Sequence, residues 1–215
     1  MGMKMERPVG DVVRRVMAFD AVHMRSLFLW VARRRDGVGP GGVPLPYSGA
    51  QTATMAAFLI AMVVELVGVE IILRAVGAPG WLRAVVFVID AYSVLIVLAV
   101  IAACITRPHV VSGDELRLRY GAFFDLRIPR ERIAAVRQMR NYNEDGLIRV
   151  EDGGRLAVVV GSQTNIVVEL AEPVTAVRPL GGRAEVTAVR FYTDTPGAAL
   201  AALRPSEEPE PEPAR

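Results

Sequence analysis

The chain has 215 residues, 52% of them hydrophobic, and a mean hydropathy of +0.33, which is too apolar for an ordinary soluble domain. Its formal net charge of +2 is small, but basic residues are concentrated near the N terminus and acidic ones in the C-terminal tail. Cys104 is the only cysteine, which excludes an intrachain disulfide. These features fit one membrane unit joined to one modest soluble domain.

Residues 1–49 are predicted to form a basic amphipathic helix followed by a linker. Apolar side chains recur three and four positions apart over residues 11–35, and Trp30 lies near the end of this pattern. We expect such a helix to lie on a membrane surface, although packing against the soluble domain would explain the pattern equally well. Glycine and proline dominate residues 37–48, which are predicted to be the linker. The candidate headgroup contacts of this segment are Arg14, Arg15, Arg25, Arg33, Arg34 and Arg35.

Residues 50–106 are predicted to be a hairpin of two membrane-spanning helices. The apolar blocks 54–73 and 81–105 can each cross a hydrocarbon core about 30 Å thick as a helix. The first block also carries a stripe of small residues and one acid on one helix face, a pattern typical of close helix–helix contact in lipid. The residues of this stripe are Ala53, Ala57, Ala61, Glu65 and Gly68.

Four polar residues within the predicted spans are candidates for function: Glu65, Glu70, Asp90 and Ser93. Glu65 and Asp90 fall at similar depth, about 15 Å from the link by helical rise, and acids at such a depth are functional candidates by default. One hypothesis is that they handle ions or protons; the other, which we favour, is that they fix how helices or protomers pack. Glu70 precedes Arg74 by four residues, so we expect these two to pair where the helix meets the interface.

The basic residues on either side of the hairpin predict its orientation. The segment before the first span is rich in arginine, and arginines resume directly after the second span with Arg107. At the opposite end of the hairpin, around the link between the two blocks, the only basic residues are Arg74 and Arg83. The positive-inside tendency therefore predicts a two-span protein of the plasma (inner) membrane with both termini in the cytoplasm. We expect no signal peptide, because the first apolar run starts late and is interrupted by charges.

Residues 107–204 are predicted to form an all-β domain of about seven strands with a C-terminal helix. Beyond the second span, apolar and polar residues alternate in short runs that are separated by turn residues. Two of these runs, 166–170 and 174–178, are separated by a turn predicted at Glu172 and Pro173. We expect a small bent sheet or an open barrel plugged by the helix.

The C-terminal helix is predicted from its start signals. Pro196 lies in its first turn, with Asp194 or Thr195 as the cap. Residues 205–215 are acidic and proline-rich, so we expect this tail to be disordered.

The first strands of the β domain are rich in arginine. Arg117, Arg119 and Arg127 could form a face toward anionic headgroups, each contact adding about 1 kcal/mol near the surface. The alternative is that they lie on ordinary solvated strand faces and pair with acids such as Asp114 and Asp125. Nucleic-acid binding is not expected, because aromatic residues are not interleaved with the basic ones.

The sequence offers little catalytic chemistry. His23 and His109 are its two histidines, and Cys104 lies within the second span, so nothing has the spacing of a zinc site. No serine has the surrounding sequence of a nucleophile elbow. We therefore expect no enzymatic activity, no catalytic residues, no metal and no cofactor.

The start of the β domain contains a recognisable order of motifs. A strand is followed by an Asp-x-Leu turn, an arginine-rich strand ending in glycine, and an Ile-Pro-x-x-x-Ile step. Their residues are Asp114, Leu116, Arg117, Arg119, Gly121, Ile128, Pro129 and Ile133. This order resembles the opening of bacterial PH-like domains attached to short membrane hairpins, and the layout is similar to small two-span integral membrane proteins of high-GC bacteria without an assigned function. The resemblance implies a PH-like fold on the cytoplasmic side of a membrane, and it carries over no catalytic or ligand residues.

These features predict a membrane-anchored, non-enzymatic binding or scaffolding protein whose cytoplasmic β domain contacts a protein or anionic headgroups. The alternative is a small transport or channel component that uses Glu65 and Asp90. Two helices cannot enclose a pathway, so the alternative requires an oligomer or a partner. The expected partners are the lipid bilayer, anionic headgroups, and a second copy or another membrane protein.

Overall fold

The computed structural model describes residues 21–179 and 181–204. Our predictions for Arg14, Arg15 and the tail 205–215 lie outside these residues. The described part of the chain contains four α-helices, nine β-strands and one short 3₁₀ helix, Arg130–Arg132.

The predicted hairpin is present as two long helices, preceded by a shorter one. Helix α1 covers residues 21–31, α2 is Gly49–Ala75 and α3 is Gly80–Thr106. The two long helices have 27 residues each, about 40 Å by helical rise, and both are long and apolar enough to cross a membrane by length and composition. Gly77 closes α2 with a φ of 69°, a conformation that glycine adopts without steric cost.

Helices α2 and α3 pack through the larger side chains of α2, not through its small ones. The half-buried apolar residues of α2 recur at alternating spacings of four and three: Met55, Leu59, Met62, Leu66, Val69 and Leu73. Such spacing produces a seam of the coiled-coil type. Most of the predicted small-residue stripe faces outward, because Ala53, Ala57, Ala61 and Glu65 are all exposed. The stripe is therefore not the contact between the two helices of one chain.

The first sheet has four antiparallel strands in the order β1-β2-β3-β4. Their bounds are β1 Val43–Leu45, β2 His109–Val111, β3 Glu115–Tyr120 and β4 Phe124–Pro129. Strand β1 lies in the segment that was predicted to be a linker, and Val43 pairs with Val111 across the hairpin insertion. Its position at the sheet edge tolerates proline, since an edge strand need not donate every amide. The β domain is thus built from chain on both sides of the hairpin.

The second sheet has five strands in the order β5-β8-β9-β7-β6. Their bounds are β5 Ile133–Tyr142, β6 Ile148–Glu151, β7 Arg155–Val158, β8 Gln163–Val177 and β9 Arg183–Phe191. Strands β7 and β9 pair in parallel, and the other neighbours are antiparallel. The turn predicted at Glu172 and Pro173 is wrong: β8 runs through both residues, and its register with β9 shifts between Glu169 and Val174. Such a bulge leaves backbone groups outside the ladder, which accommodates the proline.

The predicted C-terminal helix is confirmed. Helix α4 is Pro196–Leu203, with Pro196 at its start and Thr195 at the cap position. The Arg130 guanidinium donates to the carbonyl oxygens of Ala202 at 2.8 Å and Arg204 at 3.0 Å, so it satisfies carbonyls at the end of the helix. Apolar side chains of both sheets and α4 form one core.

Candidate membrane-surface site

The β domain is attached directly to the end of the hairpin where α2 begins and α3 ends. The backbone amide of Gly49, the first residue of α2, donates to both carboxylate oxygens of Asp194 at 3.1 Å. The Tyr120 hydroxyl donates to Gln51 Oε1 at 2.9 Å. These bonds join strands and loops of the β domain to the first turn of α2, so the domain lies beside that end of the hairpin.

Helix α1 exposes apolar side chains near its end and buries two polar ones. His23 and Ser26 are 2% and 1% exposed, whereas Phe28 and Val31 are 77% and 79% exposed. The His23 ring meets the edge of the Phe123 ring with 5.6 Å between centroids, which anchors this side of α1 to the β domain. The exposed surface of the helix thus carries apolar side chains beside Arg25, as in amphipathic helices that lie in a membrane interface.

The end of α1 places an arginine in a conformation that usually belongs to glycine. The amide of Arg34 donates to the carbonyl of Leu29 at 2.8 Å, and Arg33 has a φ of 53°. A residue with a Cβ pays about 1 kcal/mol in this left-handed region, and helix ends of this kind are normally glycine. The sequence gives no sign of this conformation, because it depends on how α1 turns into the next segment.

A cleft of about 520 Å³ lies between the end of α1 and the ends of the two long helices. Its lining includes Trp30, Arg33, Arg34, Arg35, Ser48 and Ile105. The side chains of the three arginines form no ion pair or hydrogen bond with any other residue in the described ranges. Ser48 precedes α2 but its hydroxyl makes no capping hydrogen bond, and the Gly49 amide is bound by Asp194. The cleft therefore combines three unpaired guanidinium groups and a hydroxyl with apolar walls.

Other arginines near this end of the hairpin are occupied in an internal ion network. Arg117 Nε donates to Asp125 Oδ1 at 2.8 Å, and Arg107 Nε lies 3.3 Å from Asp36 Oδ2. Arg119 is fully buried, and its Nη1 donates to the backbone carbonyl of Asp36 at 2.8 Å. The network thereby ties the segment after α1 to the end of α3 and to strands β3 and β4.

Burial and neighbouring charges shift the pKa values of two groups in this network. Burial lowers the pKa of Arg119, and the nearby guanidinium of Arg117 lowers it further. Burial alone would raise the pKa of Asp125, but its hydrogen bond and charge interactions with the arginines outweigh burial and lower it. Gly37 must remain small here, because a Cβ at that position would clash with the Arg119 guanidinium.

The predicted headgroup arginines of the β domain therefore differ in availability. Arg117 and Arg119 belong to the internal network, and Arg119 has no exposed side-chain surface. Arg127 is 61% exposed and lies 3.8 Å from Glu115, so it remains accessible. Arg25 is 69% exposed and forms a 3.1 Å ion pair with Asp36.

The polar residues of the long helices do not form one site. Glu70 pairs with Arg74 at 2.8 Å, as predicted, and also with Arg83 across the link. In the described part of the chain, neither Glu65 nor Asp90 forms a hydrogen bond or ion pair. The Ser93 hydroxyl donates to the carbonyl of Ile89 at 2.9 Å, an ordinary bond within a helix.

His109 is a buried structural histidine at the start of the β domain. Its Nδ1 accepts from the amide of Arg119 at 3.0 Å, so its Nε2–H donates to the carbonyl of Tyr192 at 3.1 Å. The ring stacks on Tyr47 with 4.6 Å between centroids. Burial lowers the pKa of His109 to about 3, which keeps the ring neutral. Its position between a span and two valines was the sequence signal for burial.

Sequence reasoning missed two acids that organise this end of the molecule. Asp36 binds Arg25 and Arg107, and Asp194 binds the start of α2. Asp36 follows the basic run directly, and Asp194 was considered only as the cap of α4, where the structure has Thr195. Within the described ranges, no three His, Cys, Asp or Glu residues are grouped so as to hold a metal ion.

Comparison with models of protein families, with curated proteins and with solved structures found no match to this chain. The architecture consists of two long apolar helices, a four-stranded and a five-stranded sheet, and a short C-terminal helix.

Proposed function

We propose that this protein is a membrane-anchored, non-enzymatic binding or scaffolding module whose β domain works at the membrane surface. One observation carries the proposal: the unpaired arginines and the exposed apolar side of α1 lie at the end of the hairpin to which the β domain is attached. Arginines and aromatic residues at such a boundary interact with anionic headgroups and interfacial lipid.

The orientation proposed for the hairpin follows from its two ends. The end with Arg33–Arg35 and Arg107 carries most of the positive charge, so it faces the cytoplasm of a plasma (inner) membrane together with the β domain. The other end of the hairpin is the link at residues 76–79. Beside this link, Glu70 forms ion pairs with Arg74 and Arg83.

The β domain also offers a surface for a protein partner. A mostly apolar cavity of about 460 Å³ opens on it, lined by residues that include Tyr120, Leu147, Ile148 and Pro179. Leu147 is 56% exposed, and exposed apolar groups beside a cavity favour binding of a partner or ligand. A binding module with both a lipid-facing and a partner-facing surface would hold its partner close to the membrane.

Reporter fusions after residue 78 and at the C terminus test the orientation. We expect the C-terminal reporter to be active in the cytoplasm and the reporter at residue 78 to be active on the opposite side. A C terminus on the outer side would contradict the proposal.

The position of α1 is tested by fluorescence, because the chain has two tryptophans, Trp30 and Trp81. In the Trp81→Phe variant in nanodiscs, Trp30 should be quenched by lipids brominated near the headgroup. The control is Trp30→Phe, which reports Trp81 at the other end of the hairpin. Trp30 emission that ignores brominated lipid would contradict a membrane-surface position for α1.

A second candidate function is a subunit of a transport or channel assembly. It is favoured by Glu65, which is exposed on α2 and has no ion-pair or hydrogen-bond partner in the described residues. The test is proton and cation flux into liposomes containing the protein, compared with Glu65→Gln and Asp90→Asn. A flux that vanishes while oligomeric assembly survives would favour transport over packing.

A further inference from the structure

We propose that the cleft between the end of α1 and the ends of α2 and α3 binds the phosphate of an anionic phospholipid. This inference rests on the proposed function and adds to it a specific ligand class and a specific set of residues. Arg33, Arg34 and Arg35 supply the charge, and the Ser48 hydroxyl supplies a further donor.

Charge complementarity favours an anion in this cleft. Three adjacent guanidinium groups line it, and none is neutralised by an acid within the described ranges. Two acids at this end of the hairpin are already engaged, since Asp36 binds Arg25 and Arg107, and Asp194 binds the Gly49 amide. Guanidinium groups bind phosphate oxygens with geometric specificity, so a phosphate fits the donors that remain.

The walls of the cleft favour a lipid over a soluble phosphate. Val31 and Ile105 line it, and both are exposed apolar side chains at the end of the hairpin. Trp30, which is 39% exposed, is a residue type that prefers the headgroup level of a bilayer. A phospholipid whose phosphate meets the arginines could lay its acyl chains along this apolar side.

The conformation of Arg33 is an independent observation that points to use of its side chain. Arg33 occupies a left-handed position, with a φ of 53°, at a helix end where glycine is the unstrained residue. Strained backbone of this kind is concentrated at functional sites. The Arg33 side chain has no partner among the described residues that would compensate for the strain, so it is available to a ligand.

The test uses the detergent-solubilised full chain and native mass spectrometry during titration with phosphatidylglycerol or phosphatidylcholine. We expect phosphatidylglycerol to bind more tightly than phosphatidylcholine. Arg33→Gly should weaken phosphatidylglycerol about fivefold, and replacement of all three arginines by glutamine about a hundredfold. Because Arg33→Gly also relieves the backbone strain, its melting temperature should not fall.

Two controls separate this site from general charge and from folding. Arg155→Gln removes an exposed arginine on β7 that likewise has no partner among the described residues, and it should leave lipid binding unchanged. Arg34→Gln removes one cleft arginine without altering the left-handed position, and it should weaken binding as much as Arg33→Gly does. Inorganic phosphate at the lipid concentration should not compete.

Several outcomes would overturn the inference. Two of them are equal binding of the two lipids and an equal loss of phosphatidylglycerol affinity in Arg155→Gln and Arg34→Gln. The others are competition by inorganic phosphate and a melting temperature of Arg33→Gly that falls together with lipid binding. These results would leave the proposed function standing as long as Trp30 is quenched in nanodiscs and the C terminus is cytoplasmic. Trp30 emission that is not quenched in nanodiscs would instead contradict the proposed function itself.

Discussion

Two arginine-rich regions of this protein look alike in sequence and differ completely in the fold. Arg117 and Arg119 on β3 belong to a network with Asp36 and Asp125, whereas Arg33–Arg35 form no ion pair within the described chain. Arg119 has 0% side-chain exposure, while the run after α1 is exposed throughout. A count of basic residues therefore says little about how many of them can meet a ligand.

The difference has a physical origin in where each guanidinium can find an acid or a carbonyl. Strand pairing places Arg119 opposite Asp125, and the return of the chain after α1 brings the Asp36 carbonyl to the same place. Arg33–Arg35 lie where α1 ends, and their side chains bond to no acid or carbonyl of residues 21–179 and 181–204. The buried region should therefore control stability, and the exposed run should control lipid binding.

The largest expected effect is that of Arg119→Met. Removing one member of a buried, hydrogen-bonded ion group leaves its partners unpaired, so we expect a loss of about 3 kcal/mol in the free energy of unfolding. The measurement is denaturant unfolding of the detergent-solubilised full chain. Arg127→Met, on the neighbouring strand and 61% exposed, should change stability by less than about 0.5 kcal/mol. Equal losses of stability in the two variants would show that a buried arginine contributes no more to stability than an exposed one does.

The protein should also lose stability at acid pH because of His109. The Nδ1 atom of this residue accepts a hydrogen bond from the backbone amide of Arg119 in the buried region. The pKa of His109 is about 3 in the fold, against 6.5 for an unperturbed histidine, so between these values the unfolded chain binds a proton that the folded chain does not. The stability that the neutral His109 ring contributes is thus fully present above pH 6.5. Below pH 6.5 the free energy of unfolding falls by about 1.4 kcal/mol per pH unit. Between pH 6.5 and about pH 5 the loss amounts to about 2 kcal/mol.

The measurement for His109 is the pH dependence of unfolding, compared with His109→Gln. The variant loses the hydrogen bonds of the ring and should be less stable at neutral pH. Because it lacks the titrating ring, its stability should fall less steeply over the same acid range. All other titratable groups are the same in both proteins, so their contributions cancel in the comparison. Parallel pH profiles would mean that His109 is not responsible for the acid sensitivity.

A smaller effect is expected at the hydrogen bonds that join the β domain to the start of α2. Asp194→Ala removes the carboxylate that binds the Gly49 amide, and loss of a helix cap costs about 1 kcal/mol. Hydrogen exchange at the first amides of α2 should rise, and the melting temperature should fall. Asp152→Ala removes an exposed acid from the turn between β6 and β7 and serves as the control. Unchanged exchange in Asp194→Ala would indicate that the Ser48 hydroxyl takes over as the cap.

The smallest effect on stability is expected in the exposed run. Arg35→Gln should change the free energy of unfolding by less than about 0.5 kcal/mol, because its side chain has no partner among the described residues. A loss as large as that of Arg119→Met would mean that both arginine regions are structural, and the contrast between them would disappear.

Features that depend on neighbours in the chain could be predicted from the sequence. The two long apolar blocks became α2 and α3, Pro196 marked the start of α4, and Glu70 found Arg74 one helical turn away. Each of these follows from periodicity, a start signal or a spacing of four, none of which requires knowledge of the rest of the fold.

Features that depend on distant pairing could not be predicted. Strand β1 was assigned to a linker because its prolines and glycines dominate the local pattern, yet it pairs with β2 more than sixty residues later. Glu172 and Pro173 have the composition of a turn, but the pairing of β8 with β9 on both sides carries the strand through them. Tertiary pairing overrode local propensity in both places.

The sequence by itself determined that two helices are apolar enough to span a membrane and that a strand-rich domain follows them, because length and periodicity are local properties. Only the tertiary structure decided which arginines are buried, that the segment before the hairpin belongs to the β domain, and that Arg33–Arg35 line a cleft. The reason is that burial and charge pairing depend on groups far apart in the chain, and the fold alone brings those groups within hydrogen-bonding distance.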